Sequence, residues 1–385
     1  MSKKEKVCPL RKTSIGGQAL MEGIMMRGPE KSAMAVRRPN GEIYFEEETL
    51  TKKKRPAICR WPIIRGIFGF VDSMKTGYKY LMKSADIYCE EVEEKKPEAA
   101  EKDAADAAVT AEAETAQNEE KPADGVEKAE KAEEKKESQS AFSKGTMAAI
   151  TIIATVLGFG LAIALFMWLP AFLYELLAEY VLPENWNNRY LRSVFEGVLK
   201  IAVLIAYMAL VSLMKDIRRT FMYHGAEHQT IFCYEQGLPL TVENVRAQRR
   251  FHPRCGTSFL ILMLIVSIVI GFLIPINIPG LEGHKILYTV VRAAIKLALL
   301  PLIMGIGYEL LKFAGRHDNI LTRIISAPGM WLQRITVRKP TDDMIECAIK
   351  AFVAVIPENE REAELAAIEK ATAETESAEA PAENA

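Results

Sequence analysis

The chain has 385 residues, with 49 lysines and arginines against 50 aspartates and glutamates, a formal net charge of −1 and a mean hydropathy of +0.03. These averages hide a composition too uneven for a simple globular protein, because acidic tracts, basic loops and uncharged apolar runs are segregated along the chain. The six cysteines, at 8, 59, 89, 233, 255 and 347, are dispersed and form no CxxC pair, which argues against a disulfide framework.

The first region, residues 1–92, reads as a small cytoplasmic α+β module. Met1 to Lys12 is polar and is not followed by the apolar stretch of a signal peptide. The segment from Gly16 to Pro29, GGQALMEGIMMRGP, is dense in glycine and methionine and does not have the pattern of an ordinary helix. Ala33 to Arg38 and Glu42 to Phe45 flank Pro39-Asn40-Gly41, a composition that favours a tight hairpin and so a small antiparallel sheet. Over residues 61–82, Ile63, Ile67, Phe70, Met74, Tyr78 and Leu81 form one stripe, which predicts an amphipathic helix packed on protein or lying in a membrane interface. Residues 93–140 are almost entirely Ala, Glu, Lys and Asp without an aromatic, so they are expected to be disordered or transiently helical; residues 359–385 read the same way.

Residues 145–314 predict a membrane bundle of about four spans. Residues 145–174 contain no charge, long enough to cross about 30 Å of hydrocarbon. Residues 256–281 form a second uncharged run, interrupted near its end by Pro275 and Pro279. Ile201 to Met214 is shorter and becomes a span only with Glu196 and Lys200 at the interface, and Ile286 to Leu311 contains Arg292, Lys296 and Glu309. The loop from Lys215 to Arg254 holds seven lysines or arginines, whereas Pro170 to Arg192 holds two. By the positive-inside rule, four spans place both termini and this loop in the cytoplasm of a multi-pass cell-membrane protein. Residues 315–358 form a cytoplasmic segment in which Thr341-Asp342-Asp343 starts a soluble amphipathic helix through Ile345, Ala348, Ile349, Phe352 and Ile356, expected to fold back on the hairpin region or the bundle.

The loop at 215–256 carries Tyr223-His224-Gly225-Ala226-Glu227-His228. On a helix, His228 lies about 40° and Glu227 about 60° from His224, with side chains roughly 5–6 Å apart, so two imidazoles can share a metal while the glutamate acts as general base. The order is that of the inverted zincins, though five residues alone are a weak pattern. Glu235 falls within about 20° of the same face if the helix continues, and would be an oxygen ligand; Ile231 to Tyr234 is equally compatible with a strand. His252 and Cys255, on the proline-broken loop RFHPRCGTS, either fold back as further ligands or cap a membrane entry whose arginines contact lipid phosphates. A hydrogen-bonded interfacial cluster is the bland alternative for His224, Glu227 and His228. Against it, three of the five histidines and two of the six cysteines fall between His224 and Cys255, which favours a divalent metal, zinc by these donors. Glu309 is expected in an ion pair with Arg292 or Lys296, or facing the cluster.

GGQALMEGIMMRGP, YHGAEHQTIFCYE, HPRCGTSF and Gly307-Tyr308-Glu309-Leu310 together strongly resemble the YqhQ-like family of bacterial membrane proteins, a domain of unknown function described as a predicted metal-dependent enzyme. The resemblance implies a multi-span inner-membrane protein with a site at His224, Glu227, His228, His252 and Cys255, and with Gln18 and Glu22 as further candidates. It brings no substrate.

Two function classes follow. One is a metal-dependent hydrolase at the cytoplasmic membrane face, with Glu227 as base and with Gly16, Gly17, Gly23 and Arg27 around the substrate. The other is a non-enzymatic assembly, insertion or transport factor whose metal or polar cluster only pins the central loop. Membrane lipid is the expected partner in either case. Nucleic acid is not expected, because the arginines are explained by topology and aromatic interleaving is sparse.

Overall fold

The N-terminal motif folds as a hairpin, β1 (Gly16–Leu20) and β2 (Gly23–Arg27), continued by β3 (Lys31–Arg37) and β4 (Ile43–Thr49) into an antiparallel meander in chain order. Only the third of its turns, between β3 and β4 at Gly41 with φ 94°, was legible beforehand. In this computed structural model, residues 12–50, 56–111, 149–150, 152–183, 188–274, 280, 285–317 and 319–379 are described.

The helices are α1 (Ile64–Ala111), α2 (Ile152–Tyr180, with a π turn at Ala164–Trp168), α3 (Arg189–Val211), α4 (Lys215–Glu235), α5 (Val242–Arg246), α6 (Gly256–Gly271), α7 (Lys285–Arg316), α8 (Ile320–Thr336), α9 (Asp342–Val355) and α10 (Glu358–Glu379). The fold is therefore mainly helical with a small N-terminal sheet. The chain divides into two compact units, residues 1–94 with 197–385, and residues 95–196.

In the first unit the sheet is covered on both faces. Ile24, Met26, Ala33 and Ala35 face a core shared with Tyr223 and Ala226 of α4 and with Met344, Ile345, Ala348 and Phe352 of α9. Leu20, Met25, Met34 and Val36 point the other way, onto Tyr80 and Ile87 of α1. Side chains alternate faces along a strand, so a strand apolar on both faces loses the polar–apolar alternation by which strands are read. Inside the second layer the Tyr80 and Ser32 hydroxyls share a buried 2.8 Å hydrogen bond. Fully burying side chains such as Phe352, Met344 and Ile345 contributes about 1.5–3 kcal/mol each.

The C-terminal helix α9 packs on the hairpin sheet. Thr341 occupies its N-cap position, but the hydroxyl makes no capping bond; Asp342 and Asp343 supply the first-turn acids. The tail, expected to be disordered or transiently helical, forms α10 as far as Glu379, because Glu360, Glu364 and Ile368 recur on one face: Tyr234 donates to Glu360, and the buried Glu364 accepts from the Leu240 N–H at 3.2 Å. Likewise the Ala/Glu/Lys tract continues α1 to Ala111, since these residues are strong helix formers. The rest of that tract, 112–148, lies outside the described residues, as does His284.

Among the described residues, three helices are long and apolar enough to cross a membrane: Ile152–Tyr180, Arg189–Val211 and Val290–Arg316. The uncharged run at 256–281 departs from expectation. Its helix α6 has 16 residues, and the prolines at 275 and 279 lie outside the described residues. At 1.5 Å per residue such a helix spans about 24 Å, short of about 30 Å. α6 and α7 form an antiparallel pair: Arg254, just before α6, lies beside Gly315 near the end of α7, and Phe259 and Met263 lie against Gly307. In the second unit, α2 exposes Leu157, Phe159 and Leu161, and Arg192 is bound to Glu196 at 2.9 Å and Glu175 at 2.8 Å. Residues 315–340, for which no element was foreseen, contain α8, capped by Asn319 and Thr322 in a reciprocal capping box.

Gly225 shows how tightly the segment after α8 crosses α4. A Cβ there would collide with the Arg338 carbonyl oxygen, one link from the 2.8 Å bond of the Arg338 N–H to the Phe221 carbonyl. Alanine would gain about 1 kcal/mol of helix propensity, but overpacking costs about 1–3 kcal/mol. Gly225→Ala is expected to lower the midpoint of thermal unfolding, whereas Gly16→Ala, with nothing within 4 Å, should leave it unchanged.

Candidate metal centre

α4 carries HGAEH at its middle, and from Tyr223 onward it is surrounded by the sheet, α9 and the loop before α6. The His224 Nδ1 lies 3.0 Å from the carbonyl oxygen of Thr336, the last residue of α8. The His228 Nδ1 is hydrogen-bonded to the carbonyl oxygen of Arg250. A carbonyl can only accept, so both Nδ1 atoms carry the proton and both Nε2 atoms are left with the lone pair or the second proton. The two rings lie edge to face, with centroids 4.5 Å apart.

Cys255 meets them. Its Sγ is 3.1 Å from the His224 Nε2, and one ligand atom from each of His224, His228 and Cys255 lies within 4.8 Å of the others. Cys255 is also the N-cap of α6, where its sulfur accepts from the Thr257 N–H at 3.4 Å. Burial alone would raise this thiol, but His224 and His228 outweigh it and hold it well below its ordinary value, and the helix N-terminus favours the same thiolate. For His224, burial would lower the value, yet the Cys255 sulfur, with help from Glu227 and Thr336, raises it to about 9. Each group thus favours the opposite charge on the other, a proton on the imidazole and none on the sulfur.

Glu227 sits beneath β1. Its Oε1 accepts the Gly17 N–H at 2.9 Å, and a Cβ on Gly17 would lie 3.0 Å from its carboxyl carbon and 2.7 Å from the Met25 carbonyl, so only glycine lets the strand come this close. Burial pushes its carboxyl up; His224 and His228 pull it back in part.

Two expected ligands stand elsewhere. Glu235 is buried, accepts the Thr13 N–H at 2.9 Å, and is paired with Arg254, whose other arm donates to the Thr13 carbonyl at 2.7 Å. Burial alone would raise its carboxyl, but His252 and Arg254 hold it below the usual range. The His252 Nδ1 accepts the Arg254 N–H at 3.2 Å, and its Nε2 faces Glu235 Oε2 at 3.7 Å, so both ring nitrogens are directed away from the trio. Its ring lies between Phe232 and His228, at centroid separations of 4.6 and 5.7 Å. Arg254 therefore draws both groups into a buried charge network beside the trio.

Of the N-terminal residues proposed around a substrate, Gly17 alone touches Glu227. Glu22 is a turn residue with φ 49°, doubly hydrogen-bonded to Arg219; Gln18 is directed at Gly77 of α1; Gly23 is closed in by Ala35 and Val36; Arg27 pairs through its backbone with Ser32; Gly16 stands open. Glu309 is paired with Arg65 rather than with Arg292, Lys296 or the cluster.

Gln333 was not foreseen. Its Oε1 accepts the His252 N–H at 2.8 Å, while its Nε2 donates to the His252 carbonyl at 2.7 Å and to Ser258 at 3.1 Å, fixing the loop that carries Cys255. A buried glutamine on an otherwise unrecognised helix gives no signal without a partner to match it.

Replacing Arg254 with leucine should leave the buried Glu235 without its cation, held only by the Thr13 N–H and the facing His252, at a cost of about 3–5 kcal/mol at pH 7. In the wild type Glu235 is depressed, so its contribution is complete above about pH 4.3 and fades as the pH falls through its folded value. In Arg254→Leu the folded value is raised instead, so the stability gap between the two proteins should narrow from pH 7 to pH 5, as read by denaturant unfolding.

The family described as a protein of unknown function, DUF1385, matches residues 61–358. The uncharacterized protein YqhQ of Bacillus subtilis is 30% identical over 354 residues, covering 91% of this chain and 93% of that one. No solved structure matches.

Proposed function

The chain belongs to the DUF1385 family, and on that premise we propose that it is a polytopic membrane protein with a divalent metal at His224, His228 and Cys255, acting as a hydrolase at the cytoplasmic membrane face. The observation that carries this reading is the pair of Nδ1 bonds to the Thr336 and Arg250 carbonyls, which turn both Nε2 atoms towards the Cys255 sulfur. Two imidazoles and a thiolate suit zinc, and three protein ligands with an open fourth position are the arrangement of catalytic zinc sites. Backbone acceptors on the far side of each imidazole are its usual supports.

A bound divalent ion supplies Lewis acidity and makes water a nucleophile near neutral pH. Glu227 takes the proton: its Oε1 is held by Gly17, its other oxygen makes no hydrogen bond among the described residues, and its raised affinity for a proton suits a group that accepts one from water and passes it to a leaving group. An ester, amide or phosphoester fits this chemistry.

Membrane placement rests on the three long apolar helices and on charge. Taking the shorter α6, antiparallel to α7, as a fourth crossing beside the three long helices makes the number even and keeps both termini with the basic segment from Lys215 to Arg254. By the positive-inside rule that side is cytoplasmic.

A second reading has one observation in its favour. Glu227, His228 and Cys255 are at most 6% exposed, and β1 lies over the carboxylate. A structural ion pinning α4 to the start of α6, in an assembly, insertion or transport factor, would look the same.

Full-length protein in a bilayer should carry about one zinc per chain, lost in His224→Ala and Cys255→Ser. On a panel of ester, amide and phosphoester substrates, Glu227→Gln should keep its zinc and lose at least about 100-fold in turnover. Wild-type turnover in Glu227→Gln would overturn the proton role and leave the structural ion. Metal-free wild type would overturn both readings.

A further inference from the structure

Helix α8 is amphipathic the wrong way round for a protein surface in water. Its buried face carries Thr322, Ser326, Gly329, Gln333 and Thr336 with a single large apolar residue, Leu332, and at Gly329 a Cβ would strike Ser258 of α6, so this mostly polar, small-residue face is the one packed on protein. Its outward face carries Ile320, Ile324 and Trp331, which at 100° per residue fall within about 40° of one another. They are 79%, 65% and 69% exposed. Arg323 and Arg334 flank that apolar stripe, in the position from which long cationic side chains reach from lipid to the headgroup layer.

Beside this stripe is a cleft of about 750 Å³. Its walls come from α8, from Ala314 and Gly315 at the end of the candidate span Val290–Arg316, and from the Arg249–Arg254 loop. Five cations line it, Lys12, Arg249, Arg254, Arg323 and Arg334, against one acid, Glu235, which Arg254 already neutralises. Arg249 and Arg334 have no carboxylate partner among the described residues, and Arg249 lies over the Phe232 ring, 5.4 Å from its centroid. Phe232, Phe251, Met330 and Trp331 add apolar wall. A basic, partly apolar hollow at the end of a span, next to a helix whose exposed face is apolar, matches a headgroup with an acyl chain attached, not a small soluble anion alone.

We propose that this cleft binds the phosphate headgroup of an anionic phospholipid, with the acyl chains along the Ile320, Ile324 and Trp331 stripe. The inference rests on the membrane placement proposed above, but not on the metal, because His224, His228 and Cys255 are not part of the cleft.

The test uses full-length protein in zwitterionic phosphatidylcholine nanodiscs and a fluorescent short-chain phosphatidylglycerol as probe. Saturable binding of about one probe per chain is expected, at least about tenfold tighter than for the phosphatidylcholine of the same chain length. Arg249→Gln and Arg334→Gln should each weaken it about tenfold, the loss of one charge-assisted hydrogen bond. Trp331→Ala, at an exposed position that cannot disturb the core, should weaken it while zinc content and unfolding midpoint stay unchanged. Equal binding of the two lipids, or wild-type affinity in both arginine variants, would overturn the proposal. Displacement by inorganic phosphate at concentrations equal to the lipid's would also overturn it, as the mark of a free-anion site. Recovery of the wild-type chain outside the membrane fraction would remove the placement itself, separately from headgroup selectivity.

Discussion

The carbonyl oxygens of Thr336 and Arg250 accept the Nδ1 protons of His224 and His228, and the chemistry of the centre follows from those two hydrogen bonds. Each fixes a tautomer and a ring orientation, which sends two Nε2 atoms towards one sulfur. With both imidazoles turned on it and the start of α6 beneath it, the Cys255 thiol is pushed towards its thiolate form despite its burial. Neither carbonyl belongs to α4. The end of α8 and the loop before α6 must both be in place, and Gln333 holds them together by clasping the His252 backbone.

The fold around α4 is arranged to allow that approach. The sheet covers it from one side, with Gly17 close enough to donate to Glu227, and the segment after α8 crosses it at Gly225. N-terminal strands and C-terminal helices thus close over a helix from the middle of the chain, so the centre depends on contacts more than 100 residues apart in sequence. Arg254 secures the other side by joining Thr13 to Glu235.

Much of this was legible in the sequence because it depends on periodicity. The facing of His224, Glu227 and His228 is a property of a single helix, as is the stripe of α9, and the turn at Gly41 announces itself by composition. Cys255 was legible as a candidate but not as a choice, since nothing in HPRC tells which of the histidine and the cysteine turns inward. Arg254 decides that, by engaging Glu235 and directing His252 towards it. The strand β2 was hidden because both its faces are buried, β1 because its five residues GGQAL carry no apolar alternation, and α8 because its exposed apolar face and mostly polar packed face reverse the usual pattern. Of the two alternatives the tail composition left open, disordered or transiently helical, α10 takes the helical one, and it needs only Glu360, Glu364 and Ile368 to dock.

The trio and the basic cleft meet at His252, whose ring lies 5.7 Å from that of His228, tilted to it, and which also lines the cleft. The proposed hydrolytic centre and the proposed phospholipid site together point to a substrate drawn from the bilayer, with Glu227 as the proton carrier. The account depends most on the identity of the three ligands. Zinc K-edge absorption of the purified full-length protein tests it directly: one sulfur at about 2.3 Å and two imidazole nitrogens at about 2.0–2.1 Å in the first shell are predicted. A zinc shell without sulfur, or protein that binds no zinc, would contradict it.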